Sequence, residues 1–188
     1  MKLNFTQITI LHDKNDSPAG SPASLLSVMR GAFPEIKYST PYLPPGMPTQ
    51  DAMDFLTDNY MRMVNRDSLL VGFGRGGLLA CAIQQRVPVL RLSAFAVNAP
   101  VREGNVVAEM NQSFYSRIAV YSSAYPPIKG KCDWAAHASM AYDVPWLAKE
   151  PAYYPLAYLL SAYGRGADME QEIKMIFPAY QNPDTILE

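Results

Sequence analysis

The stretch Val71-Gly72-Phe73-Gly74-Arg75-Gly76-Gly77-Leu78-Leu79-Ala80 decides how this chain is read. Ser68 to Phe73 is a short apolar run, the pattern of a strand buried on both faces. It enters a glycine turn, and a helix of small residues follows from about Arg75 to Gln85. Phosphate loops are built from similar pieces, but two spacings exclude them here. A Walker A loop needs Lys-Ser/Thr after its glycines, and neither residue follows Gly77. The G-x-G-x-x-G fingerprint is also absent, because the glycines from Gly72 onward fall at positions 1, 3, 5 and 6.

Working outward, strands and helices alternate. Ile8 to His12 reads as a first strand, followed by the polar loop Asp13 to Gly20. Ser21 with Pro22 is the expected N-cap and first turn of a helix striped by Leu25, Val28, Met29 and Ala32. Ile36 to Thr40 is a second strand. After the proline-rich loop Tyr42–Pro48, Thr49 is expected to cap a helix in which Met53, Phe55, Leu56, Tyr60, Met63 and Val64 keep near 3.6 spacing. Beyond the glycine turn, Val89–Val97 and Arg117–Ser122 read as strands, with a short helix expected over Val106–Tyr115. A helix carrying Asp133 and His137 is expected within Tyr125–Met140. Asp143–Leu147 is a sixth strand, placed at an edge by Pro145. Tyr153–Tyr163 and Ala167–Phe177 read as helices, and the tail after Pro178 as irregular. Six buried strands alternating with helices predict an α/β fold, with a mostly parallel sheet between two helical layers. Ligands of such sheets sit at the carboxyl ends of the strands, so the loops after His12, Phe73, Val97, Ser122 and Leu147 are the ones to inspect.

The 188 residues, 49% hydrophobic and 18% charged, suit one domain spanning 1–188 with a substantial core. Sixteen Lys+Arg against seventeen Asp+Glu leave a net charge of −1. With no basic run, that excludes a nucleic-acid binder built on a basic stripe. The first residues read as a strand rather than a leader, and no apolar run reaches membrane-spanning length, so no membrane partner is expected. Cys81 and Cys132 are too few for a disulfide framework and fit a cytoplasmic protein. No metal cluster and no cofactor motif is present.

The quoted stretch resembles the nucleophile elbow of the α/β-hydrolases, G-x-S-x-G followed by glycine, with Gly74 where the serine stands. Two further segments carry the resemblance. Ile10-Leu11-His12-Asp13, followed by Ser17-Pro18, is similar to the family's first-strand "LHG" segment, with Asp13 at the usual glycine. Pro41-Tyr42-Leu43-Pro44 is similar to its "PDLP" stretch. The likeness is strongest from Ile8 to about Pro100 and is to the small lidless serine hydrolases of the retinoblastoma-binding type. It implies the sheet order 2-1-3-4-5-6 and a triad in the chain order Ser, acid, His. The elbow residue of that family has φ > 0, which serine tolerates at a cost of about 1–3 kcal/mol and glycine adopts freely. Glycine at 74 therefore keeps the turn and removes the nucleophile. The acid position falls on Tyr125. The histidine position falls at Lys149, in Ala148-Lys149-Glu150.

The expected binding residues are His12, Asp13, Phe73, Gly74 and Arg75, at the ends of the first and third strands. Arg75, at a helix N-terminus, marks a carboxylate or phosphate site or else a solvated cation. Asp133 and His137, four residues apart, would share a helix face and could pair. The aromatic group Trp146, Tyr153, Tyr154, Tyr158 and Tyr163 reads as helix packing or as a partner interface. The leading expectation is thus a catalytically silent hydrolase-like domain that binds a small molecule or a protein. One alternative is an esterase or amidase with a displaced nucleophile at Ser93, Ser122 or Ser123, served by His12 or His137. Another is a structural subunit, and the oligomeric state stays open.

Overall fold

The computed structural model describes residues 3–60, 67–86, 92–109, 116–131, 133–144, 147 and 153–176. Strands β1 (Gln7–Leu11), β2 (Lys37–Ser39), β3 (Ser68–Phe73), β4 (Ser93–Val97), β7 (Arg117–Tyr121) and β8 (Met140–Asp143) form one six-stranded sheet. Its order is β2-β1-β3-β4-β7-β8, and every pairing in it is parallel. Between β4 and β7 lies a small antiparallel hairpin of β5 (Arg102–Glu103) and β6 (Val106–Val107). Without that hairpin the order is the expected 2-1-3-4-5-6. Helices α1 (Ser21–Ala32), α4 (Tyr153–Gly164) and α5 (Met169–Ile176) cover one face, and α2 (Thr49–Tyr60) and α3 (Arg75–Arg86) cover the other.

The two faces differ in side-chain size, and the difference is written in the strands. Because the side chains of a strand alternate, Leu69, Val71, Phe73, Phe95, Val97, Ile118 and Val120 meet Leu25, Met29, Leu156, Leu160 and Ile173 on the first face. On the second face stand Leu70, Ala94, Ala96 and Ala119, with Gly72 in the same register. Small residues there let α3 lie close to the sheet. A Cβ on Gly72 would fall 2.1 Å from the Gly76 carbonyl oxygen, and one on Gly76 would fall 2.5 Å from that of Leu11. Helix α3 is accordingly buried from Arg75 through Gln84.

Several expectations are corrected. The helix expected over Val106–Tyr115 gives way to the β5–β6 hairpin as far as residue 109. Gly104 at φ +58, followed by Asn105, makes the two-residue turn, a hairpin signal that outweighs helical spacing over so few residues. Residues 110–115 lie outside the described residues. The expected Asp133–His137 helix is a loop with 3-10 turns at Pro126–Ile128 and Trp134–Ala136. It is pinned by the buried Trp134, whose Nε1 donates to the Ala99 carbonyl at 2.7 Å. The sixth strand ends at Asp143 instead of beginning there, although it is the edge strand expected. Helix α1 begins at Ser21 itself, with Gly20 at the N-cap and no side-chain cap from it. The beginning of the long fourth strand (residues 89–91), Cys132, Pro145, Trp146, Lys149 and the tail after Pro178 lie outside the described residues. Among the described residues, no helix is long and apolar enough to cross a membrane.

Candidate functional site

The carboxyl ends of β1, β3, β4 and β7 converge on a cleft of about 280 Å³. At its floor, Gly74 takes φ +52 between β3 and α3, and its N–H donates to the Val97 carbonyl at 2.9 Å. This is a left-handed conformation that glycine holds without strain. The space beside Gly74 is taken by Asp13. A Cβ on Gly74 would fall 2.1 Å from Asp13 Cγ and 2.3 Å from each of its oxygens. The same carboxylate is held by backbone donors: Asp13 Oδ1 accepts the N–H of Arg75 at 2.8 Å and that of Lys14 at 2.7 Å. An anion thus sits at the N-terminus of α3, where the helix dipole and its unsatisfied N–H groups favour one.

Arg75 runs back from this floor. It is 2% exposed, and its Nη1 donates to the Met47 carbonyl. Its Nε and Nη2 are buried with no hydrogen-bond partner among the described residues. A buried guanidinium left this incompletely paired costs on the order of several kcal/mol. The solvated Arg75 weighed from sequence is therefore corrected to a buried one.

His12 is 1% exposed, and both of its ring nitrogens are used. The Leu43 N–H donates to Nε2 at 2.9 Å, so Nε2 is an acceptor and Nδ1 carries the proton. That proton goes to the Asp13 carbonyl at 2.7 Å. His12 therefore ties the loop after β1 to the loop after β2, with Tyr42 stacked against it at 6.1 Å. Tyr125 follows β7 and is half-buried at the start of the Pro126–Ile128 turn. Burial raises its phenol above the ordinary range, and the nearby Asp13 charge adds to that.

Of the residues singled out from sequence, Asp13, Gly74 and Arg75 meet around the cleft, with Tyr125 close enough to feel the Asp13 charge. Phe73 does not line it. The Phe73 side chain belongs to the opposite core, edge-to-face with Tyr153 at 6.2 Å. Asp133 and His137 do not hydrogen-bond or ion-pair with each other, and His137 Nδ1 instead meets the Ala108 carbonyl at 2.7 Å. Ser93 Oγ is bonded to the Tyr163 hydroxyl at 2.6 Å, and the Ser122 hydroxyl accepts the Ala124 N–H at 3.3 Å. Ser123 is held through its own N–H by Asp143. No histidine–serine hydrogen bond occurs among the described residues. Among the aromatics, Tyr153 and Tyr163 pack inward, Tyr158 bonds Glu172 at 2.7 Å, and Tyr154 stands 77% exposed.

Two residues escaped the sequence analysis. Asn98 ends β4 at φ +45, buried. It donates to the Leu147 carbonyl at 2.9 Å and accepts the Ser122 N–H at 2.9 Å, fastening the strand ends together. An amide directly after a long apolar strand was the available signal. Asp16 was the other. Burial alone would raise its carboxyl, but the N–H groups of Ser21 and Ser17 bring it below the usual range.

No family model and no curated protein matches this chain. Solved structures do. The ydeN gene product of Bacillus subtilis aligns over 93% of this chain and 98% of its own, at 15% identity and TM-score 0.58. SOBER1 of Arabidopsis thaliana aligns over 90% and 99%, at 14% identity and TM-score 0.57. A Xanthomonas campestris pv. campestris protein grouped with the α/β superfamily of hydrolases aligns over 93% and 99%, at 11% identity and TM-score 0.53. The chain has the α/β-hydrolase fold. At such identities the likeness speaks for the fold alone, and with it for the place of Gly74 at the turn from β3 into α3.

Proposed function

We propose that this chain is a catalytically silent α/β-hydrolase-like protein that binds a small molecule or a protein partner at the cleft beside Gly74. The observation that carries this reading is the position of the Asp13 carboxylate. In an acting enzyme of this fold, a serine occupies the elbow and the N–H of the next residue stabilises the oxyanion. Here the elbow residue has no side chain, and the N–H of Arg75 already holds the carboxylate of Asp13. The nucleophile and the anion-stabilising donor are thus lost together. Losing the nucleophile alone costs on the order of 10⁶ in kcat, and blocking an oxyanion donor about 10²–10³ more. Tyr125 at the acid position cannot supply a carboxylate, and the nitrogens of His12 are committed elsewhere.

The test is intact mass after incubation with a fluorophosphonate, which labels activated serines covalently. The expected result is an unmodified chain. A stoichiometric adduct would overturn the silent reading, and peptide mapping would then show which serine reacts.

A further inference from the structure

We infer that the segment 41–48 is a strap latched by the neutral form of His12, and that protonating His12 releases its Leu43 end. The segment reads Pro41-Tyr42-Leu43-Pro44-Pro45-Gly46-Met47-Pro48, so half of its residues have no N–H to donate. From Tyr42 to Met47 it makes two hydrogen bonds to the rest of the described residues. The Leu43 N–H donates to His12 Nε2 at 2.9 Å, and the Met47 carbonyl accepts from Arg75 Nη1. Both anchors belong to the cleft floor. His12 gives its Nδ1 proton to the Asp13 carbonyl at 2.7 Å, and the Arg75 N–H holds the Asp13 carboxylate. Beneath the strap, Leu43 is buried in the core shared with α2 and α3, and Met47 packs against that core.

The latch closes with one proton on the ring and not with two. Neutral His12 has its single N–H on Nδ1, which leaves Nε2 a lone pair for Leu43. The imidazolium carries an N–H on both nitrogens, so its Nε2–H meets the Leu43 N–H donor against donor. The ring is buried, and a buried donor without an acceptor costs about 1–3 kcal/mol. The Nδ1 bond to Asp13 survives protonation, so the ring stays on the cleft floor and the strap gives way. The charged groups around the latch are the carboxylates of Asp13 and Asp16 on the loop after β1, and Arg75 from α3. From the strap itself, Tyr42 stacks on the ring at 6.1 Å. Histidine is the side chain whose charge ordinarily changes between about pH 5 and 8. At Asp16 burial is outweighed by the N–H groups of Ser21 and Ser17, so its carboxyl stays ionised over that range.

Amide exchange of Leu43, read by NMR and corrected for the intrinsic pH dependence of exchange, tests the latch. Its protection is expected to fall about tenfold or more between about pH 7.5 and about pH 5, the worth of one lost hydrogen bond. The amide of Val71, in the middle of β3, is expected to keep its protection, because the opening is local. In His12→Gln the side-chain oxygen can accept from Leu43 and does not titrate, so protection there is expected to stay level over the same range. The imidazole nitrogen shifts of wild type report the protonation of His12 directly and need no variant. Wild-type protection that stays level across the range overturns the proposal, as does a fall of equal size in His12→Gln. A protonated His12 with Leu43 still protected overturns it whatever the variant does.

Discussion

The sheet has a buried arginine toward each end, and the two are treated in opposite ways. Arg117 opens β7 at the amino end of the sheet and Arg75 opens α3 at the carboxyl end, each 2% exposed. Arg117 is almost fully satisfied. Its Nε donates to Gln84 Oε1 at 3.1 Å, its Nη1 to the carbonyls of Glu109 and His137 at 2.7 and 2.9 Å, and its Nη2 to that of Cys81 at 3.1 Å. Gln84 is itself completed by the carbonyls of Leu92 and Ser116. Arg75 makes one hydrogen bond through its side chain and leaves two nitrogens unmatched. A buried polar group that is fully bonded holds a structure together, whereas one left short of partners is a local cost the rest of the fold must carry. In this molecule that cost falls at the ligand-binding end of an α/β sheet, where strain and unmet polarity collect when a site is kept for function.

The largest expected effect breaks this contrast directly. Arg117→Met leaves the buried Gln84 Oε1 and the buried Cys81 carbonyl without this donor and removes its bonds to the carbonyls of Glu109 and His137, and we expect a loss of about 3–5 kcal/mol in urea unfolding. Arg75→Met removes an uncompensated charge and forfeits a single bond, so a change below about 1 kcal/mol, or a gain, is expected. Equal losses for the two variants would show that Arg75 is paired in solution and would remove the contrast. Cys81 reports on the same region. Burial pushes its thiol up to about 11, against the opposing pull of the Arg117 charge.

Next in size is the pairing of Gly74 with Asp13. Gly74→Ser must adopt a positive φ and displace the Asp13 carboxylate from the space its Cβ needs. A loss of about 1–3 kcal/mol is expected. Asp13→Gly in the same chain should return part of that loss, with a coupling of about 0.5–3 kcal/mol between the two positions. Strict additivity in denaturant midpoints would mean that the two side chains do not compete for one space. The double variant restores the family-like residue at the elbow and at the end of the first-strand segment, yet no esterase activity is expected, because Tyr125 and His12 still supply neither acid nor base.

What the sequence made legible follows the same division. The sheet order, the elbow and the parallel strands were readable because they rest on local pattern, apolar strands with glycines wherever α3 approaches. Gly72, Gly76 and Gly77 are informative one by one, since each is required by a backbone contact. The hairpin after β4 was missed because four ladder residues carry too short a pattern to compete with a helical spacing, although Gly104-Asn105 marked it. The Asp133–His137 pair was misread because Trp134 anchors the segment by a long-range bond to Ala99, which no periodicity reveals. At the site, the loss of serine could be read directly. The position of the Asp13 carboxylate beside Gly74 could not, because it depends on how two loops distant in sequence meet. Arg75 was ambiguous for the same reason, since its burial is set by the Met47 loop.

The smallest expected effect sharpens the comparison within the loop that carries Asp13. Asp13 and Asp16 are three residues apart, yet they serve different helices. Asp13 meets the first N–H of α3, and Asp16 Oδ2 accepts the first N–H of α1, that of Ser21, at 2.9 Å, while its Oδ1 takes the Ser17 N–H at 2.8 Å. Asp16 thereby does the work of the missing N-cap side chain, and Gly20 is required beside it, since a Cβ there would fall 1.7 Å from Asp16 Oδ1. Asp16→Ala should cost about 1 kcal/mol at neutral pH, the usual worth of a cap. Its folded carboxyl titrates below the ordinary range of an aspartate, because the N–H groups of Ser21 and Ser17 outweigh burial, so the stabilisation is fully present above the unfolded value and lost as the pH falls through the lowered one. Unfolding curves of wild type and Asp16→Ala should therefore differ at neutral pH and converge in acid once the pH has fallen through the lowered folded value. A gap that persists unchanged there would mean that Asp16 acts through its shape rather than its charge, and that the loop holds Asp13 in place without help from the first turn of α1.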